Sequence, residues 1–378
     1  MLDTRVPMWY YETGLIKPVS IELFAPLGET MHPKSSVKLR DVAKAAGVSP
    51  GTVSRAINNS PLVNVETRRR IMQVVEELGY VPNIAARRLS IGKTLAVAVI
   101  VPFFTRPSIS ERLNGAVSSL SYSPYDLVIH NIETPEQRML YFNKIPRREQ
   151  ADGALIISLS PTDEEAEKLA QADIPIVLID ADHPALTMFP QVTSDDVAGG
   201  RMATDHLVQL GHTKIGFIGD SIGDMIGGAS AMNFNSSHER YQGYCQVLEE
   251  AGIPISPRYY GEGQHSRIVA RRLATKMLTQ PDPPTAIFAA SDTQAVGVLE
   301  AARDLGIRVP DELSVIGYDD VEIADVMQLT TVRQLLFESG RRGVELLLET
   351  MKDPDTLPVV EVLPVEVVER QTTAPPHH

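Results

Sequence analysis

The hydrophobic positions of this chain change period part-way along. Leu39, Val42, Ala43 and Ala46 fall at i, i+3, i+4 and i+7, one face of a helix. Gly47 and Val48 interrupt that stripe. Ser49 is suited to cap a second helix and Pro50 to open it, since a first-turn N–H has no helical partner anyway. The second helix is expected to bury Val53, Ala56 and Ile57. Asn64 can cap a third, in which Ile71, Val74, Val75 and Leu78 repeat the spacing. Helices this short are marginal alone, so the three must bury their faces against one another. From residue 94 the pattern changes. Short β-branched runs at 96–101, 127–131, 154–158 and 175–180, then at 214–219, 286–290 and 314–318, alternate with amphipathic helical stretches. Such alternation predicts parallel sheets covered by helices. Two series predict two similar lobes, with a ligand held between them where strand ends meet.

Composition sharpens this division. A chain of 378 residues suits a small domain plus a two-lobed core, and 43% hydrophobic residues exclude global disorder. The net charge of −13 is unevenly spread: residues 34–93 hold eleven Lys/Arg against four acids, a net +7, which leaves −20 for the rest. That split suggests a nucleic-acid module joined to an acidic core. The single cysteine, Cys245, excludes an internal disulfide and reads as a small apolar core residue. No Cys/His cluster suggests a metal, and no cofactor is expected. The most apolar run, 95–104, is far shorter than the ~20 residues that span a bilayer. Met1-Leu2-Asp3-Thr4 lacks the charged-then-apolar pattern of a secretory signal, so a cytoplasmic protein with no membrane partner is expected.

Two helices about a glycine turn, with basic residues outside, describe a helix-turn-helix whose second helix enters the major groove of double-stranded DNA. Gly51, Thr52, Ser54 and Arg55 face outward there. A guanidinium can pair bidentately with guanine, which makes Arg55 the candidate base reader. Thr52, Ser54 and Asn58 suit phosphates, which fix register. After Pro82, a stretch at 84–89 that Asn83 can cap is less than two turns long, too short to be stable in water.

The run from Val37-Lys38-Leu39-Arg40-Asp41-Val42-Ala43 through Gly47-Val48-Ser49-Pro50-Gly51-Thr52-Val53-Ser54-Arg55 resembles the headpiece signature of the LacI/GalR regulators. Gly79-Tyr80-Val81-Pro82-Asn83 and Ala85-Ala86-Arg87-Arg88-Leu89 continue the match. Further along come Ala203-Thr204-Asp205-His206-Leu207, Glu239-Arg240-Tyr241-Gln242-Gly243-Tyr244, Ala290-Ser291-Asp292 and Pro310-Asp311-Glu312-Leu313-Ser314-Val315-Ile316-Gly317-Tyr318-Asp319-Asp320. The resemblance spans about 37–373. It implies a small all-α headpiece (37–82), a hinge and linker (83–93) and a periplasmic-binding-protein-like α/β core (94–373) whose chain crosses between the lobes several times. Residues 374–378 form a tail.

By the same resemblance Pro50, Gly51 and Arg55 contact bases, although Pro50 and Gly51 offer no side-chain hydrogen bonds and are limited to apolar contact. The hinge orders only on specific DNA, with two copies in the minor groove. Ala86, Arg87 and Leu89 are its implied groove residues, Leu89 as a wedge between base steps and Arg87 and Arg88 against phosphates or the groove. A marginal helix that folds only when two subunits hold it in place lets small core motions control DNA affinity.

Arg240 and Asp292 are the implied effector residues, both facing the cleft. A guanidinium donates and a carboxylate accepts, so together they can fix a vicinal diol. Asp180, Ser158, His265 and Tyr318 are further cleft candidates. The turn at 103–109 and the loop at 220–237 depart from the family pattern near the expected ligand site, for which a carbohydrate is the family's default. His206 and His212 read as exposed residues and form no triad with Ser or Cys, so an enzyme is not expected. Residues 1–36 have no family counterpart, and Met31 just before the signature is a candidate start of translation. No leucine heptad follows Thr373, which implies a homodimer on a two-fold pseudo-palindromic operator. Two alternatives stay open: a solute-binding protein of similar core fold, and a regulator answering to a protein corepressor rather than a free sugar.

Overall fold

In the computed structural model, residues 37–58, 60–81, 88, 92–220 and 235–377 are described. The chain divides into two compact units between Arg87 and Arg88, inside the segment expected to be the hinge.

The first unit is a three-helix cluster: α1 (Leu39–Ala46), α2 (Pro50–Ile57) and α3 (Val65–Glu77). Its punctuation follows the sequence. The Lys38 amide donates to Asp41 at 2.8 Å, and Gly47 ends α1 at φ 64°, a left-handed conformation that favours glycine. Ser49 Oγ accepts the Thr52 amide at 3.1 Å, and Asn64 Oδ1 accepts that of Thr67 at 2.8 Å. Val42, Ala43, Ala46, Val53, Ala56, Val63 and Ile71 form the core. Leu78 does not join it. It lies at the C-terminal cap of α3, beyond the reach of the other two helices, and is 39% exposed.

The second unit holds two six-stranded sheets. The first contains β1 (Ala96–Pro102), β2 (Asp126–Ile132), β3 (Gly153–Ile157), β4 (Ile176–Ile179), β5 (Gln191–Ser194) and β11 (Val360–Leu363), in the order β11-β5-β4-β3-β1-β2, all parallel. The second contains β6 (Ile215–Asp220), β7 (Tyr260–Gly263), β8 (Ala286–Ala289), β9 (Ser314–Asp319), β10 (Thr330–Gln334) and β12 (Val365–Val368), in the order β12-β10-β9-β8-β6-β7. Here β12 runs antiparallel to β10, the one exception to the parallel expectation among the described strands. All seven expected strands are present within a residue or so. Five others were not legible: β5, β7, β10, β11 and β12.

Central strands are buried on both faces, which is why Ala-Val-Ala-Val-Ile-Val reads as a continuous apolar run. The chain crosses between lobes three times: after β5, after β10, and between β11 and β12. At the second crossing it enters α12 (Leu336–Lys352), which packs on α4 (Pro107–Leu120) of the first lobe. Gly340 of α12 lies directly against the backbone of Arg112 in α4; a Cβ there would meet the Arg112 carbonyl group and the Ala116 amide.

His212 is buried, not exposed as its position in a turn suggested. Its Nε2 meets the Ala374 carbonyl at 2.9 Å and Ser314 Oγ at 3.0 Å, and its Nδ1 meets Thr285 Oγ1 at 2.9 Å. Burial holds the ring below its ordinary pKa, and the start of the C-terminal tail is thereby anchored. Among the described residues no helix is long and apolar enough to cross a membrane.

Candidate functional site

On α2 the buried stripe of Val53 and Ala56 fixes what faces outward. Pro50, Gly51, Arg55 and Asn58 are exposed, and Thr52 and Ser54 are half-buried. A Cβ on Gly51 would lie 3.8 Å from Arg55 Nη2, so the glycine leaves room beside the guanidinium. The groove residues expected from the hinge, Ala86, Arg87 and Leu89, lie outside the described residues. Arg88 is described, and its Nη2 donates to Asp126 at 2.7 Å on the rim of the second unit.

The second site lies between the lobes, at the C-terminal ends of the strands. Phe103, Ser158, Asp180, Asp319 and Asp320 all have positive φ there, from 43° to 115°. Non-glycine residues adopt this conformation at a cost, and it clusters at ligand sites. Two buried ion pairs dominate. Arg112 on α4 donates to Asp180 and, at 3.3 Å, to Gln334, whose amide in turn donates to Asp319 at 2.7 Å. That chain runs from the first lobe to the second. Arg240, on α8 (Ser236–Glu250), donates to Asp196 at 2.8 Å and to the Ala290 carbonyl at 2.6 Å, with its guanidinium 3.7 Å from the centre of the Tyr318 ring.

Burial lowers the Arg112 pKa to about 10, partly offset by Asp319 and Asp196. Burial opposes the charge of Arg240 too, but Asp196, Tyr318 and Asp319 outweigh it and raise its pKa. Asp220 is pushed up by burial and pulled further down by His265, Arg106 and Arg240, so it stays an acid of lowered pKa. It accepts from His265 at 3.2 Å and Gln294 at 2.9 Å.

Arg240, Ser158 and His265 come together around one small cavity, with Arg106, Arg112, Asp220 and Asp319. Asp180 lines an adjoining cavity of about 360 Å³ together with Asp182, Asp195, Asp196 and Glu239. Asp292 and Tyr318 do not face the cleft as expected. Asp292 is fully buried, its two oxygens taken by the Val321 amide at 3.0 Å and the Thr331 hydroxyl at 2.6 Å. Tyr318 is fully buried beneath Arg240. Beside Arg240 the carboxylates are Asp196, at 2.8 Å, and Asp319, at 3.8 Å.

Residues 38–83 match the family model described as bacterial regulatory proteins, lacI family, and residues 204–373 match a periplasmic binding protein-like domain. The catabolite control protein A of Priestia megaterium is 30% identical over 340 residues, 89% of this chain and 99% of that protein. The chain belongs to the LacI family. It is a sequence-specific DNA-binding transcriptional regulator. The regulator DegA of Bacillus subtilis is 35% identical over 341 residues, covering 89% of this chain and 97% of that one. Among solved structures, the lac repressor dimer bound to operator and the anti-inducer ONPF aligns with a TM-score of 0.77 at 26% identity, covering 90% of this chain and 100% of that chain. A CelR–cellobiose complex aligns at 0.65 and 29% identity, covering 89% and 99%.

Within this LacI-family core, sequence reasoning missed Arg106 and Arg112. Arg112 carried a signal: it occupies a position on the Ile109, Leu113, Ala116 stripe of α4, where a charge is seldom buried without a partner. Arg106 carried none, because its role depends on the fold of the departing turn at 103–109.

Proposed function

We propose that this regulator is a homodimeric repressor whose affinity for a two-fold pseudo-palindromic operator is set by a small polyhydroxylated ligand, of the carbohydrate class, held between the lobes. The observation that carries the reading is the pair of polar cavities built by side chains from both lobes and bridged by Arg112, Gln334 and Asp319. A ligand in that space touches both lobes, so it alters how they close on each other. Cellobiose bound to the CelR structure and ribose bound to a LacI-family regulator from Enterococcus faecium support the ligand class.

In this reading Arg55 reads a guanine edge, Pro50 and Gly51 give close apolar approach, and Thr52, Ser54 and Asn58 hold phosphates. Ala86, Arg87 and Leu89 enter the minor groove from the hinge. Arg240, Ser158 and His265 contact the ligand, and Asp180 holds Arg112 in place. Asp292 and Tyr318 act as positioning residues: Tyr318 supports Arg240 from beneath, and Asp292 fixes the Val321 turn beside Asp319 and Asp320.

Selection of sites from random duplex DNA by the full-length protein, with and without a pool of sugars, tests the reading. Recovery of a two-fold pseudo-palindrome whose enrichment changes with sugar is the expected result. An absence of enrichment in both conditions contradicts it and favours a regulator that answers to a protein corepressor.

A further inference from the structure

The two inter-lobe cavities differ in chemistry, and the buried ion pairs form the boundary between them. In each pair the guanidinium lines the smaller cavity and the carboxylate lines the larger: Arg112 and Arg240 on one side, Asp180 and Asp196 on the other. The smaller cavity is a donor site. Neither Phe103 nor Tyr318 lines it: Arg106 stands over the Phe103 ring at 4.5 Å and Arg240 over the Tyr318 ring at 3.7 Å. Its two carboxylates are outnumbered by its three guanidiniums and are already engaged, Asp220 by His265 and Gln294 and Asp319 Oδ1 by Gln334. One of its guanidiniums, that of Arg112, keeps a donor without a partner. Arg112 is only 4% exposed, yet its Nε–H has no partner among the described residues. A buried charged donor without an acceptor is costly, and the side chain that carries it lines this cavity.

Size separates the two cavities as well. The smaller has about 60 Å³ of free space, far below the ~300 Å³ at which ordinary ligand pockets begin, which suits an anionic headgroup but not a sugar ring. The larger, at about 360 Å³, falls in the range of ligand pockets, roughly 300–1,000 Å³. It is rich in carboxylates: Asp180, Asp182, Asp195 and Asp196 each accept protein hydrogen bonds and, with about four lone pairs apiece, keep capacity for a further donor. Burial and the neighbouring Asp196, Asp182 and Asp195 push Glu239 up to about 7, a sign of how closely carboxylates crowd there. Carboxylates at such density accept well from hydroxyl groups.

Resting on the reading of this cleft as the effector site, we infer that the ligand is a polyhydroxylated acid: its carboxylate or phosphate group sits against Arg106, Arg112 and Arg240, and its hydroxyls donate to the carboxylates of the larger cavity. Charge-assisted, fork-shaped contacts to guanidinium fix the acid end, and the shared boundary fixes its distance from the polyol.

Calorimetric titration of the full-length protein with matched compounds tests this. D-Gluconate, D-glucuronate and D-glucose 6-phosphate form the acidic set; D-glucose, D-ribose and cellobiose form the neutral set, and sodium phosphate is the bare anion. At least one acidic compound is expected to bind ~10-fold or more tightly than every neutral one and to change operator affinity. Carboxylate and phosphate members identify the anionic group between them. Arg112→Gln is expected to erase the difference; should it fail to fold, Arg106→Gln, at the less buried guanidinium, serves the same purpose. Tighter binding by the neutral set overturns the acid assignment and leaves the effector reading intact. Binding of sodium phosphate as tight as that of any polyol acid overturns the polyol half. Silence from both sets, in heat and in operator affinity, overturns the inference and the effector reading together.

Discussion

Replacing Gly340 by alanine perturbs the effector cleft from a position that does not itself line it, through the backbone of Arg112. A methyl group there would stand 2.7 Å from the Arg112 carbonyl carbon and 3.1 Å from the Ala116 nitrogen, besides overlapping the carbonyl oxygen. Carbon atoms in contact relax only near ~3.5 Å, so α4 must retreat by at least ~0.8 Å, and the closer carbonyl oxygen asks for more. The Arg112–Gln334 hydrogen bond, already at 3.3 Å, does not survive such a shift. Overpacking of this kind costs about 1–3 kcal/mol. Partial loss of the buried Arg112–Asp180 pair adds to that, since breaking such a pair outright costs ~3–5 kcal/mol. Alanine returns ~1 kcal/mol through helix propensity. A net loss of about 3 kcal/mol corresponds to a fall in Tm of ~5 °C for a core of this length. Scanning calorimetry of the full-length protein measures it. Gly51→Ala is the control, because its methyl would meet only Ser49 Oγ at 3.7 Å and Arg55 Nη2 at 3.8 Å, so the core transition is expected to stay put. A Gly340→Ala core melting within ~2 °C of wild type would refute the claim that this crossing sets the position of Arg112.

Three further outcomes follow from named residues. Arg55→Ala is expected to weaken specific operator binding by ~1–3 kcal/mol while sparing most non-specific binding, read by anisotropy with specific and scrambled duplexes. Asp292→Ala leaves the Val321 amide and Thr331 hydroxyl without their acceptor, so urea unfolding of the core is expected to show a loss of about 2–5 kcal/mol; unchanged stability with lost ligand response would instead put Asp292 on the ligand. Glu239 is raised from 4.5 to about 7, so between those values the folded protein keeps a proton that the unfolded chain has released. Stability from this group is therefore present at low pH and lost as pH rises towards 7. Glu239→Gln is expected to show a smaller fall in Tm from pH 5 to pH 8 than wild type, and an identical fall would remove Glu239 as a cause.

The headpiece was legible because its signals are local: the stripes on α1 and α2, Gly47 at positive φ, and the caps at Ser49 and Asn64. The central strands were legible because parallel strands buried on both faces are unbroken apolar runs. β7, with the sequence Tyr-Gly-Glu-Gly, and β10, with Thr-Thr-Val-Arg-Gln, carry no such run; each leans on a strand distant in sequence, β6 for β7 and β12 for β10. The cleft was legible only in part for the same reason. Arg240 and His265 were found, but the partner of Arg240 comes from Asp196, forty-four residues earlier, and no spacing reveals that. Asp292 follows an apolar strand, as a cleft carboxylate does, yet the turn at Val321 closes over it.

The central claim is that a ligand between the lobes sets the affinity for DNA. Anisotropy titrations of a labelled, selected operator at one fixed salt concentration test it most directly, run with and without saturating ligand for wild type and Arg240→Gln. The account predicts a change of roughly 5–150-fold in wild type on adding ligand, and no change in Arg240→Gln under the same conditions. Equal operator affinity in wild type with and without a ligand that calorimetry shows to be bound would contradict it.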